Sequence, residues 1–193
     1  MARNYLRLLA DVRARRTYAY VLVNAMLHSG IYTWLGLYFQ RRFALGEVGI
    51  GLALLGYGVP GFLLGPVIGR LADRHGRAGL IPAGVAVAAV SALVLAPHLP
   101  LVVPAVTVTV LSLGYDLTQP PLAGIATSLS GQRGQAMGFN VFTLFVGFGL
   151  GSLVFQGLLH LGFATALVLF GVAGLLAAAV AVPLFRTETA DDH

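Results

Sequence analysis

The sequence predicts an all-α integral membrane protein, a bundle of six transmembrane helices, on three observations. Charged residues make up 10 % of the 193 positions and hydrophobic ones 58 %, whereas soluble domains carry about 25 % charge. Residues 17–40, 48–69, 78–115 and 134–185 contain no Asp, Glu, Lys or Arg. Some 20 apolar residues, roughly, span a hydrocarbon core, so the last two runs are each long enough for two crossings. The basic residues, all arginine, fall unevenly on alternate connections between these runs.

Taken in order, the first span is expected from Thr17 to Phe39, the second from Val48 to Gly69 and the third from Ala78 to Ala96. Pro97-His98-Leu99-Pro100 ends the third, because proline disfavours continuation of the preceding helix. The fourth runs from Leu101 to Ser128 with a kink expected at Pro120-Pro121. The fifth covers Gln135 to Leu159, and His160-Leu161-Gly162 turns the chain into a sixth that ends at Phe185. This gives an Arg-rich segment at 1–16, a membrane bundle at 17–185 and a short tail at 186–193. The opening resembles a secretion signal in outline, but its apolar run is too long and lacks a small-residue cleavage site. It is expected to remain as the first helix.

Arg3, Arg7, Arg13, Arg15, Arg16, Arg70, Arg74, Arg77, Arg133 and Arg186 fall on the starting side, and only Arg41 and Arg42 on the other. The positive-inside rule therefore places both termini in the cytoplasm of an inner (plasma) membrane protein. An even number of spans independently returns the chain to its starting side. The glycines Gly61, Gly65 and Gly69 recur every fourth residue, and Gly147, Gly149 and Gly151 cluster in the fifth span. In lipid there is little hydrophobic drive between helices, so such stripes are expected where backbones approach closely. A sliding surface used in conformational change is compatible with that role.

Between the second and third spans stands Gly69-Arg70-Leu71-Ala72-Asp73-Arg74-His75-Gly76-Arg77. In order, spacing and position it resembles the cytoplasmic signature loop of the major facilitator superfamily of transporters. Gly76 would permit a tight reversal, and Gly69 a close helix approach before it. Asp73 offers a carboxylate for an arginine or a helix N-terminus. The resemblance implies a conformational latch; a simpler reading makes Arg70, Arg74 and Arg77 a topogenic anchor. Gly114-Tyr-Asp-Leu-Thr-Gln-Pro-Pro-Leu and Arg133-Gly-Gln-Ala-Met-Gly138 also look like the family's fourth helix of a half entering its fifth. Arg133 is thereby a candidate partner of the loop. Leu8-Leu9-Ala10-Asp11-Val12-Arg13 looks like the exit of the central loop.

The whole chain thus resembles the carboxyl-terminal half of a twelve-helix transporter. What the resemblance implies is two inverted three-helix repeats, and a solute cavity between two halves that rock about it. A homodimer, a separately encoded half or a missing upstream segment would then complete the pathway.

Asp116 is the one acidic residue deep in an expected span, roughly 20–25 Å from its outer end at 1.5 Å per residue. A bare carboxylate there costs at least about 2.5–3.5 kcal/mol on insertion scales, so it must be protonated, paired or wetted. It is the candidate for proton coupling, against a structural hydrogen bond. Asn24 and His28, one turn apart, share a face and could line a solute path with Tyr32 and Trp34. Asn140 and Gln156 are further candidates, and each of these could instead be satisfied by a neighbouring helix. His98 and His160 fall in outer turns and make no metal site by spacing.

No phosphate-loop, metal-protease or nucleophile-elbow motif is present, so neither an enzyme nor a cofactor is implied. Without cysteine there is no disulfide or thiolate site. The net charge of +5 reflects topology, not nucleic-acid binding. The partners expected are the lipid bilayer, a small solute, protons and a second six-helix half. The function expected is secondary transport of a small, lipophilic or neutral solute, with proton-coupled efflux as its specific form. A six-helix membrane module that does not itself transport is the alternative.

Overall fold

The computed structural model of the protein describes residues 10–129 and 133–188, apart from the side chain of His75. Arg3, Arg7 and the start of the Leu8–Arg13 stretch lie outside the described residues, as does the tail from 189 to 193. Among the described residues every regular element is helical. They are α1 (Val12–Tyr32), α2 (Leu35–Phe43), α3 (Glu47–Leu54), α4 (Val59–His75), α5 (Leu80–Leu95), α6 (Val102–Ser128), α7 (Arg133–Leu158), a 3₁₀ turn (Leu159–Leu161) and α8 (Phe163–Phe185).

Helix α1 starts inside the expected Arg-rich segment because Asp11 caps it, its side chain accepting from the Arg13 backbone N–H at 2.8 Å. The expected first span does not run unbroken to Phe39. It stops at Tyr32, where the Trp34 N–H bonds back to the Ile31 carbonyl at 3.1 Å in a tightened turn, and resumes as α2. The second span is broken as well. Residues 55–58 turn between α3 and α4, with Gly58 at a φ of 79° and Pro60 in the first turn of α4. A positive φ suits glycine, and proline accepts a first helical turn, so the sequence builds the interruption locally. The Gly58 N–H that it frees donates to Ser112 Oγ of α6 at 3.1 Å, which removes the cost of an unbonded amide. Helix α6, in contrast, continues through Pro120 and Pro121.

Three helical stretches, Glu47–Arg74, Arg133–Leu161 and Phe163–Phe185, are long and apolar enough to cross a membrane, and Leu80–Leu95 is a shorter apolar helix. Helices α1 and α6 have the length but carry inward polar residues, among them Thr17, Asn24 and His28 on α1 and Thr107, Ser112 and Thr118 on α6, all buried. Large apolar side chains such as Phe62, Phe142, Phe145, Leu153 and Leu176 point outward. That inversion of the usual soluble pattern is what lipid as solvent requires.

Helix α1 packs along α7, α5 sits against both α6 and α8, and α4 and α1 both lie on α6. Glycine sets the closest of these approaches. A Cβ at Gly151 would stand 2.6 Å from Met26 Cα, and one at Gly147 would stand 2.6 Å from Ala25 Cβ, so α7 touches the backbone of α1. A Cβ at Gly114 would stand 2.8 Å from the Gly84 carbonyl, joining α6 to α5 in the same way. The stripes expected from spacing are only partly contacts. Gly149, Gly65 and Gly69 face open space, because a four-residue repeat marks a face without saying what lies opposite.

Gly151→Ala should therefore destabilise the bundle by about 1–3 kcal/mol through overpacking, while Gly149→Ala should stay within about 0.5 kcal/mol of the parent. Thermal unfolding of the two variants in one detergent compares them directly. Equal midpoints would remove the assigned α1–α7 contact.

Candidate functional site

The inward faces of α1, α4 and α6 meet in a polar and aromatic seam. His28 of α1 is 4 % exposed, and its Nε2 lies 2.6 Å from the hydroxyl of Tyr57 in the α3–α4 turn. Around the imidazole stand Tyr115 of α6 with ring centres 4.3 Å apart, Tyr57 at 5.4 Å and Tyr32 at 5.8 Å. Tyr32 and Tyr57 stack at 3.9 Å, and Phe148 of α7 closes the group at 6.3 Å from His28. The Nδ1 of His28 is buried without a hydrogen-bond partner. Rings of this kind bury large area yet keep a polar atom available.

Asp116 lies next in sequence to Tyr115 and points at the start of α4. Its carboxyl accepts from the Gly61 backbone N–H and, at 3.4 Å, from the Ser112 hydroxyl. The absence of a Gly61 side chain admits it, since a Cβ there would stand 3.0 Å from both carboxyl oxygens. A carboxyl from one helix thus caps the N-terminus of another, where unbonded N–H groups and the helix dipole favour negative charge. Among the described residues no arginine or histidine pairs with Asp116. Ser112 bonds both the Gly58 N–H and Asp116, so the break in the second span and the acid form one hydrogen-bonded unit.

The other expected residues scatter. Asn24 is buried and donates to Gln119 of α6 at 3.4 Å, one turn below His28 on the same seam. Asn140 is buried on α7, where among the described residues its amide makes a 3.9 Å contact to Met137 Sδ and its Oδ1 has no partner. Gln156 is exposed on α7, two turns beyond Phe148, and is not drawn into the seam. Trp34 spends its indole N–H on the Ser152 carbonyl at 3.2 Å. Tyr57, Tyr115, Ser112 and Gln119 belong to the seam but were missed. The Gly-Tyr-Gly of 56–58 and the Tyr-Asp pair of 115–116 were the signals that could have found them.

At the end that carries the chain termini, the expected signature loop is largely helix. Helix α4 continues through Arg70, Asp73 and Arg74 to His75, because Leu71, Ala72 and the arginines are good helix formers. Of the signature residues only Gly76, with a φ of 76°, and Arg77 fall in the turn, which runs on through Ala78 and Gly79 to α5. Arg70 bonds the Pro66 carbonyl of its own helix at 3.1 Å. Asp73 and Arg77 line a small cavity of about 140 Å³ with Pro120, Pro121 and Gly124 of α6. Arg77 lies flat over Gly124, where a Cβ would meet its guanidinium at 3.1 Å. Arg133 opens α7, exposed and without a described contact to this segment.

The turn is held by a residue the sequence reading passed over. The Glu188 carbonyl accepts from the backbone N–H of Arg77 at 2.8 Å and of Ala78 at 3.0 Å. Its side chain, 3 % exposed, is gripped by Arg13 through Nε at 2.8 Å and Nη2 at 2.6 Å, and by Arg16. Burial pushes this carboxyl up, but the hydrogen bonds and charges of Arg13 and Arg16 outweigh it and hold the group below its ordinary value. The start of α1, the exit of α8 and the signature turn are thereby tied at one point.

A carboxyl lowered in the folded state stabilises fully above its ordinary value of 4.5, and that contribution is lost as pH falls through the lowered value. Stability of the parent should therefore drop below about pH 4.5, and Glu188→Gln should flatten that drop while costing about 1–3 kcal/mol at neutral pH. Unfolding midpoints measured across pH in detergent test both effects. In the seam, Tyr57→Phe keeps the stacking but leaves the imidazole without a partner, and should cost about 1 kcal/mol by the same measurement.

No curated protein matches the chain. A family model described as Major Facilitator Superfamily matches residues 6–193, nearly the full length. With the apolar helices and the signature segment at the foot of α4, that match is decisive, and the chain belongs to the Major Facilitator Superfamily of solute transporters.

Proposed function

We propose that the chain is a six-span half of a proton-coupled secondary carrier, with the His28–Tyr57–Asp116 seam as its wall of the solute path. The observation that carries this reading is Asp116 itself. It is a half-buried acid in a membrane helix, it has no cationic partner among the described residues, and it is hydrogen-bonded to the break between α3 and α4. While charged, it caps α4. On taking a proton it weakens that cap, and the two parts of the broken span are free to realign. Protonation is thus coupled to backbone geometry beside an aromatic wall suited to a lipophilic or neutral solute, and efflux is the direction this reading favours. Both termini face the cytoplasm of the inner membrane, with the Glu188 clamp on that side.

We read the six spans as two inverted repeats, which two of the helix contacts fit and one, the close α5–α6 contact whose image would be a close α8–α1 contact, does not. Exchanging the first span with the fourth, the second with the fifth and the third with the sixth turns the α1–α7 contact into the α6–α4 contact and returns α5–α8 to itself. A second six-helix half, from a homodimer, another chain or a segment upstream of this sequence, faces the seam. The reading of a module that does not transport keeps one observation on its side. Asp116 already has a structural role as a helix cap, and that role needs no proton traffic.

Asp116→Asn preserves a hydrogen-bond acceptor for the cap but cannot take up a proton. In proteoliposomes under an imposed pH gradient, assayed with a panel of lipophilic dyes, the variant should lose gradient-driven dye movement, by at least about tenfold, while inserting at parental levels. Unchanged coupling would leave Asp116 as a cap only.

A further inference from the structure

Ten arginines are placed by the topology, but Arg41 and Arg42 stand at the opposite end of the bundle and ask for another reason. Arg42 has one. It donates to the Leu95 carbonyl at 2.8 Å, the Ala96 carbonyl at 2.8 Å and the Tyr38 hydroxyl at 3.0 Å, and so closes the C-terminus of α5. Its remaining bond runs to His98 Nδ1 at 2.9 Å. A guanidinium only donates, so Nδ1 accepts and the His98 proton sits on Nε2, a donor still unspent. Arg41 is exposed and makes no hydrogen bond or ion pair among the described residues.

Both guanidinium groups, His98 and Thr165 line one cavity of about 310 Å³ between the end of α2 and the start of α8. No carboxylate lines it. Two adjacent arginines, an imidazole with an unspent N–H and a threonine thus stand around one space whose lining holds no carboxylate. Leu161 and Phe163 line it as well, and Val168, Leu169 and Val172 are exposed further along α8.

We propose that this cavity binds a phosphate group, with Arg41 as its free ligand and Arg42 as a fixed positive wall. An anionic phospholipid headgroup and free phosphate share that chemistry, and the apolar run along α8 is where acyl chains would lie. The cavity shares no lining residue with the seam of His28, Tyr57 and Asp116.

Native mass spectrometry of the full chain in mixed micelles of phosphatidylglycerol and phosphatidylcholine tests this. The parent should retain phosphatidylglycerol preferentially, and Arg41→Gln should reduce that preference about five- to tenfold. Arg186→Gln, at the opposite end, should not. Inorganic phosphate at millimolar concentration, read by thermal shift, separates the sources. Phosphate protection that Arg41→Gln abolishes, without any lipid preference, assigns the site to free phosphate. Thr165→Val, which removes only the hydroxyl, should weaken whichever ligand binds and guards against a folding defect in the arginine variant. Equal behaviour of the parent and Arg41→Gln in both assays, or an equal loss in Arg186→Gln, overturns the proposal.

Discussion

Backbone contact through glycine holds the helices close enough for everything else in this structure to form. Lipid offers no hydrophobic reward for bringing two apolar helices together, so attraction depends on close van der Waals contact and on hydrogen bonds. Gly147 and Gly151 bring α7 onto the backbone of α1, and Gly84 and Gly114 do the same for α5 and α6. With α1 pressed on α7 and α6 on α5, the polar faces of α1 and α6 are left facing each other, and Asn24 reaches Gln119. A side chain at any of these crossings would part helices whose short-range polar bonds depend on their spacing.

The same solvent explains where polarity goes. A free backbone amide or carboxyl in hydrocarbon is costly, so the interruption of the second span survives because α6 supplies its partners. Ser112 takes the Gly58 N–H, and Asp116 takes that of Gly61. A break sustained by side chains of another helix is a place where geometry can change when those side chains change charge. The seam therefore combines an interrupted helix with a membrane carboxyl, and the rings of Tyr32, Tyr57 and Tyr115 gather around the neighbouring His28.

The end carrying the chain termini behaves differently. There Glu188 joins three segments through charged bonds, partly exposed on the Arg13 side, that water can compete for. Charged bonds of this kind set the register of the helix ends while remaining open to competition from water. The signature segment takes part through its backbone, by the Arg77 and Ala78 amides, as well as through its conspicuous charges.

Hydropathy runs, proline punctuation and the arginine asymmetry determined that this chain is helical and built for a membrane, and the ordered motif of 69–77 determined its family. Those properties follow from solvent and local backbone chemistry, which a linear sequence carries in full. Turn residues also announced the reversal at Gly76, since a positive φ is a local demand. The partners were decided only by tertiary structure. Asn24, His28 and Tyr32 shared a face by periodicity, but that they met Gln119 and Tyr57, while Gln156 stayed exposed, depended on which helix came opposite. Glu188 was a tail residue until α8 returned it to Arg13, across 175 positions of sequence. Periodicity gives each helix its faces; only packing decides what each face meets.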